Sequence, residues 1–216
     1  MMSYLIPTTI VDNFFEDPIK IRDYALSQDF LNDTENSWPG KRTNSLHIIN
    51  PKLFHHVIRK SLQIFYKDDE QYEYEASMQF QLTDCSYGTG WVHADIYNMI
   101  TGIIYLNPDN QLSSGTTIYQ PKTIGNIPIN LDIKQEYFKG TIQNCTQARN
   151  ENNNQFEETI VIKNKFNRLV LFDSHLYHSA DNFIGNDKDS SRLTLIFFIN
   201  KLFTRNFPIY RMKKVV

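Results

Sequence analysis

The stretch YEYEASMQFQLT (72–83) is where the hydrophobic period of the chain changes. Tyr72, Tyr74, Ala76, Met78, Phe80 and Leu82 alternate with Glu73, Glu75, Ser77, Gln79, Gln81 and Thr83, the period of two of a strand with one buried face. Before it the period is helical. Asp17-Pro18 supplies a capping residue and a first helical position, and Ile21, Tyr24 and Ala25 follow at helical spacing to about Gln28. Asn50-Pro51 opens a second helix whose Phe54, Val57, Ile58, Leu62 and Phe65 form one stripe. The polar segment 32–45 between them, with its Trp-Pro-Gly, reads as a loop. After residue 83 come ITGIIYLN (100–107), GTTIYQ (115–120), ETIVI (158–162), RLVLF (168–172), LYHSA (176–180) and RLTLIFFIN (192–200). Each is a short β-branched or aromatic run bounded by Asn, Asp, Gly or Ser. Helices followed by many short strands predict a mainly β sandwich or barrel braced by N-terminal helices.

The chain has 216 residues, of which 41% are hydrophobic and 21% charged, enough for one well-buried core. A net charge of −2 lacks the excess of Lys and Arg that a phosphate-binding surface needs, so nucleic acid is an unfavoured partner. Two cysteines, Cys85 and Cys145, without a CxxC, suggest neither a disulfide framework nor a thiolate zinc site and fit a reducing cytoplasm. The opening residues lack the basic-then-apolar pattern of a signal peptide, and no apolar run has membrane-spanning length. Residues 121–157, with the polar run from Gln147 to Asn154, predict a long mobile loop, either an insertion or a lid over a site.

The chemistry starts from WVHAD (91–95). His93 and Asp95, two apart on an extended segment, point to one side and can grip one ion together. The spacing alone is common. It gains weight because two of the six histidines, His175 and His178, close the β region in FDSHLYHSADNF. A His-x-Asp on one strand with a distal His on another is the facial arrangement of non-haem Fe(II) oxygenases. Alternation puts 176, 178 and 180 on one face and 175 and 177 on the other, so the two histidines do not share a metal on a regular strand. His55 and His56, adjacent on a helix, diverge, and His47, Cys85 and Trp91 read as packing or loop residues, with Trp91 a candidate for a pocket mouth.

Five elements in order, DNFFEDP (12–18), WVHAD (91–95), YLNP (105–108), SSGT (113–116) and NRLVLFDSHLYHS (167–179), span nearly the whole chain. In this it resembles the Fe(II)- and 2-oxoglutarate-dependent oxygenases of the prolyl 4-hydroxylase-like group, and within it an uncharacterised set common in bacteriophages. The resemblance implies a single oxygenase domain over 1–216, with helical support in 1–70 and a double-stranded β-helix, a cupin-like jelly roll, in 71–210. It implies His93, Asp95 and His178 as iron ligands, and Arg192, with Tyr105 and Thr194, as holders of the distal carboxylate of 2-oxoglutarate. A guanidinium suits that task because its planar fork matches a carboxylate. The implied cofactors are Fe(II) and 2-oxoglutarate with O₂ as cosubstrate, and ascorbate as an accessory reductant. Two features depart from the family's pattern. The tyrosine about ten residues before the His-x-Asp has no counterpart at Thr83 or Asp84, leaving Tyr87 nearest, and GNDKD (185–189) lengthens the interval from His178 to Arg192.

The implied reaction is hydroxylation of a protein side chain or small molecule. Related halogenases carry a small residue where Asp95 stands. A nucleic-acid dealkylase on the same fold is the alternative, and Phe198 occupies the place, six after Arg192, where that group carries another Arg. A non-catalytic β-roll serving as a structural or binding module is the third reading. The identity of the substrate is set by pocket loops and is not legible in the sequence.

Overall fold

The two helices expected from the sequence begin at the Asp-Pro and Asn-Pro pairs. The Asp17 side chain accepts from the Lys20 amide (3.1 Å) and opens α1 (Pro18–Leu26), and Asn50 accepts from Leu53 (3.0 Å) and opens α3 (Pro51–Leu62). The structure is a computed structural model that describes residues 6–32, 38–66, 72–109, 112–123 and 145–204. The remaining elements are β1 (Thr9–Val11), β2 (Leu31–Asn32), β3 (Lys41–Arg42), α2 (Leu46–Ile49), β4 (Tyr72–Thr83), β5 (Ile100–Tyr105), β6 (Thr116–Pro121), α4 (Cys145–Asn153), β7 (Phe156–Ile162), β8 (Leu169–Asp173), β9 (Tyr177–Ala180) and β10 (Arg192–Thr204).

The strands form two antiparallel sheets, a larger one in the order β1-β8-β5-β10-β4-β3-β2 and a smaller one in the order β7-β6-β9. Alternation along each strand of the larger sheet separates two cores. Met78, Phe80, Ile100, Ile104, Leu169, Leu171, Leu193, Leu195, Phe197 and Ile199 join Phe54, Val57, Ile58 and Leu62 of α3 in one cluster. Ile103, Tyr105, Val170 and Phe172 join Ile118 and Ile162 of the smaller sheet in the other. The larger sheet is therefore covered on both sides, and every residue of β5 and β8 is buried. That explains their reading as continuous apolar runs, as strands covered on two faces do. The architecture is the expected mainly β jelly roll, two facing antiparallel sheets with the helical cluster packed on one.

Three expectations change in detail. Strand β4 buries one face only in its first half; Gln81 and Thr83 are 6% and 1% exposed because there the second face turns into the roll. The segment 32–45 contributes β3, which pairs with Gln81 and Leu82 at the edge of β4. The stretch 121–157, expected as a mobile loop, ends in a helix, α4, and β7 begins at Phe156; its residues 124–144 lie outside the described residues.

The first and fifth motifs of the resemblance meet in space. Strand β1 pairs with β8, and Arg168 reaches Asp12 through two bonds, Nε to Oδ1 (2.6 Å) and Nη2 to Oδ2 (3.1 Å). Asn167, at φ 62°, accepts from the Phe15 amide (2.8 Å) and donates to its carbonyl (2.8 Å), fastening the N-terminal arm to the corner between β5 and β8.

Gly102 lies directly opposite Phe197, and a methyl group on it would come within 2.1 Å of the ring. The ring fills the space that the glycine leaves. Gly102→Ala is expected to lower the unfolding free energy by about 1–3 kcal/mol through overpacking. Phe197→Leu should relieve part of the clash, so that the double variant loses less than the sum of the single losses in urea denaturation.

Candidate metal centre

His93 lies in an extended segment that joins the smaller sheet by one bridge. Its N–H donates to the His178 carbonyl (3.0 Å), and the His178 N–H donates to the His93 carbonyl (2.8 Å). Residues paired in this way carry their side chains on the same side of a sheet, and the two imidazole centroids are 4.5 Å apart. The chain then turns, and the Asp95 amide is fixed on the Ser174 carbonyl (2.8 Å). This brings Asp95 Oδ1 to 3.6 Å from His93 Nε2 and Oδ2 to 3.3 Å from His178 Nε2. One ligand atom from each of the three residues lies within 4.8 Å of the others.

Main-chain carbonyls set the orientation of both rings. His93 Nδ1 donates to the Trp91 carbonyl (2.7 Å) and His178 Nδ1 to the Leu176 carbonyl (2.9 Å). A carbonyl only accepts, so each neutral ring carries its proton on Nδ1 and presents a lone pair at Nε2. The Phe172 ring lies edge-on to His178 at 4.7 Å. Asp95 Oδ2 accepts from the Thr101 hydroxyl (3.3 Å). Thr101 has one proton to give, so the Ser174 hydroxyl, 2.8 Å away, is the donor of the second bond. An ion about 2.1 Å from two ligands at right angles holds them about 3 Å apart, close to the two distances from Asp95. The donor set of two imidazoles and a carboxylate suits a divalent transition metal.

Arg192 opens β10 on the inner face and is 5% exposed. Its Nε donates to the Ser114 carbonyl (2.8 Å) and Nη2 to the Gly115 carbonyl (3.5 Å), and its guanidinium carbon lies 5.6 Å from the centre of the Tyr105 ring. Among the described residues no carboxylate is within ion-pair distance of it. Burial pulls its pKa below the ordinary guanidinium value, yet an arginine stays charged in a protein. Gly115 is required where it stands, since a Cβ would meet the Ile162 carbonyl at 2.0 Å. Thr194, two residues on, faces the same way and lies opposite Tyr105 in register. Tyr105 is wholly buried, which raises its pKa, and its phenol donates to Thr116 Oγ1 (2.8 Å).

His93, Asp95, His178 and Arg192 line one cavity of about 290 Å³, together with Thr116, Ile103 and Ile196. Trp38, Pro39, Arg42, Gln81, Asn98, Phe183 and Phe198 extend its wall. Thr116 thus contributes to the cavity wall, with the Tyr105 hydroxyl behind it. Arg42 stacks on Trp38 at 4.1 Å and donates from Nε and Nη2 to Gln81 Oε1 (3.2 and 3.1 Å). The side chain of His175 is 62% exposed and bonds Asp173 (3.0 Å). His55 bonds Tyr74 (2.6 Å) on the outer face, Cys85 is exposed, and Trp91 lines the cavity as the sequence suggested. Tyr87 packs edge-on to Phe183 at 6.2 Å and lines a separate groove, so it does not replace the family's tyrosine in the cavity. The extra residues 185–189 close into a surface turn in which Asp187 accepts from the amides of Asp189 (3.0 Å) and Ser190 (2.8 Å). The supports missed in the sequence are Thr101, Ser174, Thr116 and the carbonyls of Trp91, Leu176, Ser114 and Gly115; only the glycine of SSGT signals any of them.

Several known proteins are similar to this chain in shape. HygX from Streptomyces hygroscopicus, with nickel and 2-oxoglutarate bound, aligns over 89% of this chain and 82% of its own at 11% identity, with a TM-score of 0.54. HygX with nickel, 2-oxoglutarate and hygromycin B bound aligns over the same shares at 8% identity, with a TM-score of 0.52. A prolyl hydroxylase from Trichoplax adhaerens, in complex with a hypoxia inducible factor peptide fragment, aligns over 89% and 82% at 15% identity with a TM-score of 0.47. At such identities the likeness to HygX is one of fold. No helix among the described residues is long and apolar enough to cross a membrane. No curated protein matches the sequence. One family model, described as a family of unknown function (DUF6445), matches residues 5–199, from the N-terminal arm through the core of β10, and the chain belongs to that family.

Proposed function

We propose that the protein is an Fe(II)- and 2-oxoglutarate-dependent oxygenase that hydroxylates a small molecule or a protein side chain. The observation that carries the reading is the juxtaposition in one cavity of the His93–Asp95–His178 cluster with a buried guanidinium that, among the described residues, has no carboxylate within ion-pair distance. A buried charge without a counter-ion is costly unless a ligand supplies one. A dicarboxylate fits, with one end for a metal and the other for Arg192. HygX, of the same fold, was seen with nickel and 2-oxoglutarate.

Iron with 2-oxoglutarate, when bound, supplies oxidative decarboxylation to succinate and CO₂, with one oxygen atom of O₂ going to the succinate and the other to a substrate C–H bond. The chain contributes geometry. His93 and His178 hold the metal through Nε2 because their Nδ1 protons are engaged by main-chain carbonyls, and Asp95 supplies the charged third ligand. Thr101 and Ser174 fix the rotation of that carboxylate. Arg192 receives the distal carboxylate in a fork held open by the carbonyls of Ser114 and Gly115. Thr194 faces the same ligand; Tyr105 acts through Thr116, since its own proton is given to that hydroxyl. The substrate lies against Trp38, Gln81, Asn98, Phe183 and Phe198. A carboxylate at 95, where halogenases have a small residue, favours hydroxylation. Ascorbate, a cytoplasmic setting and the likeness to the phage-borne set belong to this reading on the strength of the sequence.

The test is spectroscopic. Anaerobic addition of Fe(II) and 2-oxoglutarate should give a weak visible charge-transfer band, and its absence would reject the reading. His93→Ala and His178→Ala should each abolish 2-oxoglutarate-dependent succinate formation, whereas His175→Ala, changed outside the cavity, should retain most of it; succinate is measured directly. Arg192→Lys keeps the charge and loses the fork, so the concentration of 2-oxoglutarate for half-maximal turnover should rise about tenfold to a hundredfold. An unchanged requirement in the lysine variant would remove Arg192 from its role.

A further inference from the structure

Among the described residues, the segment that carries His93 has a strand on one side only. Toward β9, Gly90 N–H bonds the Ala180 carbonyl (2.9 Å), and His93 exchanges both of its bonds with His178. The opposite edge is covered by side chains of one helix, α4. Asn153 accepts from the Val92 amide at Oδ1 (2.9 Å) and donates from Nδ2 to the Gly90 carbonyl (2.9 Å). Asn152 donates to the Val92 carbonyl (3.0 Å) and to Asn153 Oδ1 (3.0 Å), which fixes the orientation of the second amide. Arg149, 8% exposed, donates from Nη1 to the carbonyls of Tyr87 (2.9 Å) and Thr89 (3.1 Å). A primary amide has the donor and acceptor of a peptide group, so Asn153 stands where a neighbouring strand would otherwise pair.

We infer that Asn153, supported by Asn152, is a positioning residue for the metal centre: it completes the edge of the His93 segment and thereby sets the affinity of the His93–Asp95–His178 cluster for its ion. Val92 sends both main-chain bonds to α4 and His93 sends both to β9, so the amide clamp ends one residue from a ligand. The Trp91 carbonyl that orients the His93 ring lies between the two residues the Asn153 amide grips. Loosening the clamp displaces the ring's hydrogen-bond partner as well as its backbone. Partners one step behind a metal ligand are typically worth about 10–100-fold in affinity.

This inference rests on the metal-binding reading above, and the experiment separates the two. Metal-free protein is titrated with Mn(II), followed by electron paramagnetic resonance well below the unfolding temperature, and amide exchange is measured across 88–93. Asn153→Ala should weaken Mn(II) binding about tenfold or more and speed exchange at Val92, while Asn154→Ala, exposed at the end of the same helix, should do neither. Asn153→Asp keeps the acceptor for Val92 and loses the donor to Gly90, so it should fall between; it decides the matter if the alanine variant does not fold. If wild type binds no Mn(II), the centre itself is misread and the inference falls with it. If wild type binds and folded Asn153→Ala or, failing that, Asn153→Asp binds within twofold of it, the positioning role is overturned while the centre stands. A merely structural role would lower the unfolding temperature and leave that affinity unmoved.

Discussion

The pair of main-chain hydrogen bonds between His93 and His178 is the constraint on which the site depends. Each such bond contributes only about 1 kcal/mol net, but together they decide which side chains face inward. A slip of one residue would exchange His178 for Ser179 or Tyr177, and a strand has no intermediate setting. The register is held from both sides. Strand β9 pairs with β6 through Ile118 opposite His178, and the His93 segment is gripped by α4 beyond. His178 meets the neighbouring pair His93 and Asp95 because two backbone alignments agree.

Burial of Arg192 is the second dependence, and its energetics run against the fold taken alone. A guanidinium nearly out of water has to be repaid by hydrogen bonds, and carbonyl oxygens at 114 and 115 give only partial compensation. On the proposed reading, an anion at Arg192 would supply the missing counter-charge and, by binding the folded chain alone, would stabilise it by mass action.

Much of this was legible in the residues, for identifiable reasons. The change of period at Tyr72 and the Asp-Pro and Asn-Pro helix starts are local signals, and the structure carries strands and helices close to those positions. His175 and His178 do point apart, although His175 lies in the turn before β9 and not on the strand whose alternation suggested it. Pairing partners were not legible, because which strand lies beside the His93 segment depends on contacts far apart in sequence. Gln81 and Thr83 read as solvent-facing because a polar residue lining an interior cavity and one facing water look alike in a pattern. The run of asparagines at 152–154 read as a loop for a similar reason: asparagine favours non-helical turns on average, whereas here two of its amides substitute for a missing strand.

The strands of the larger sheet divide their labour by face. Along β10, Leu193, Leu195 and Phe197 join the helix-side core, whereas Arg192 and Thr194 point into the roll. Along β5, Ile100, Gly102 and Ile104 face the helices, while Thr101, Ile103 and Tyr105 face the site. Close packing against α3 makes the first set intolerant of changes in volume. The second set carries hydroxyls whose bonds end on Asp95 or Thr116, so changes there reach the cluster and the cavity wall. Because alternate residues of one strand serve these two ends, the backbone that the core makes rigid is the same backbone that aims the site. That rigidity fixes where His93, Asp95 and His178 meet.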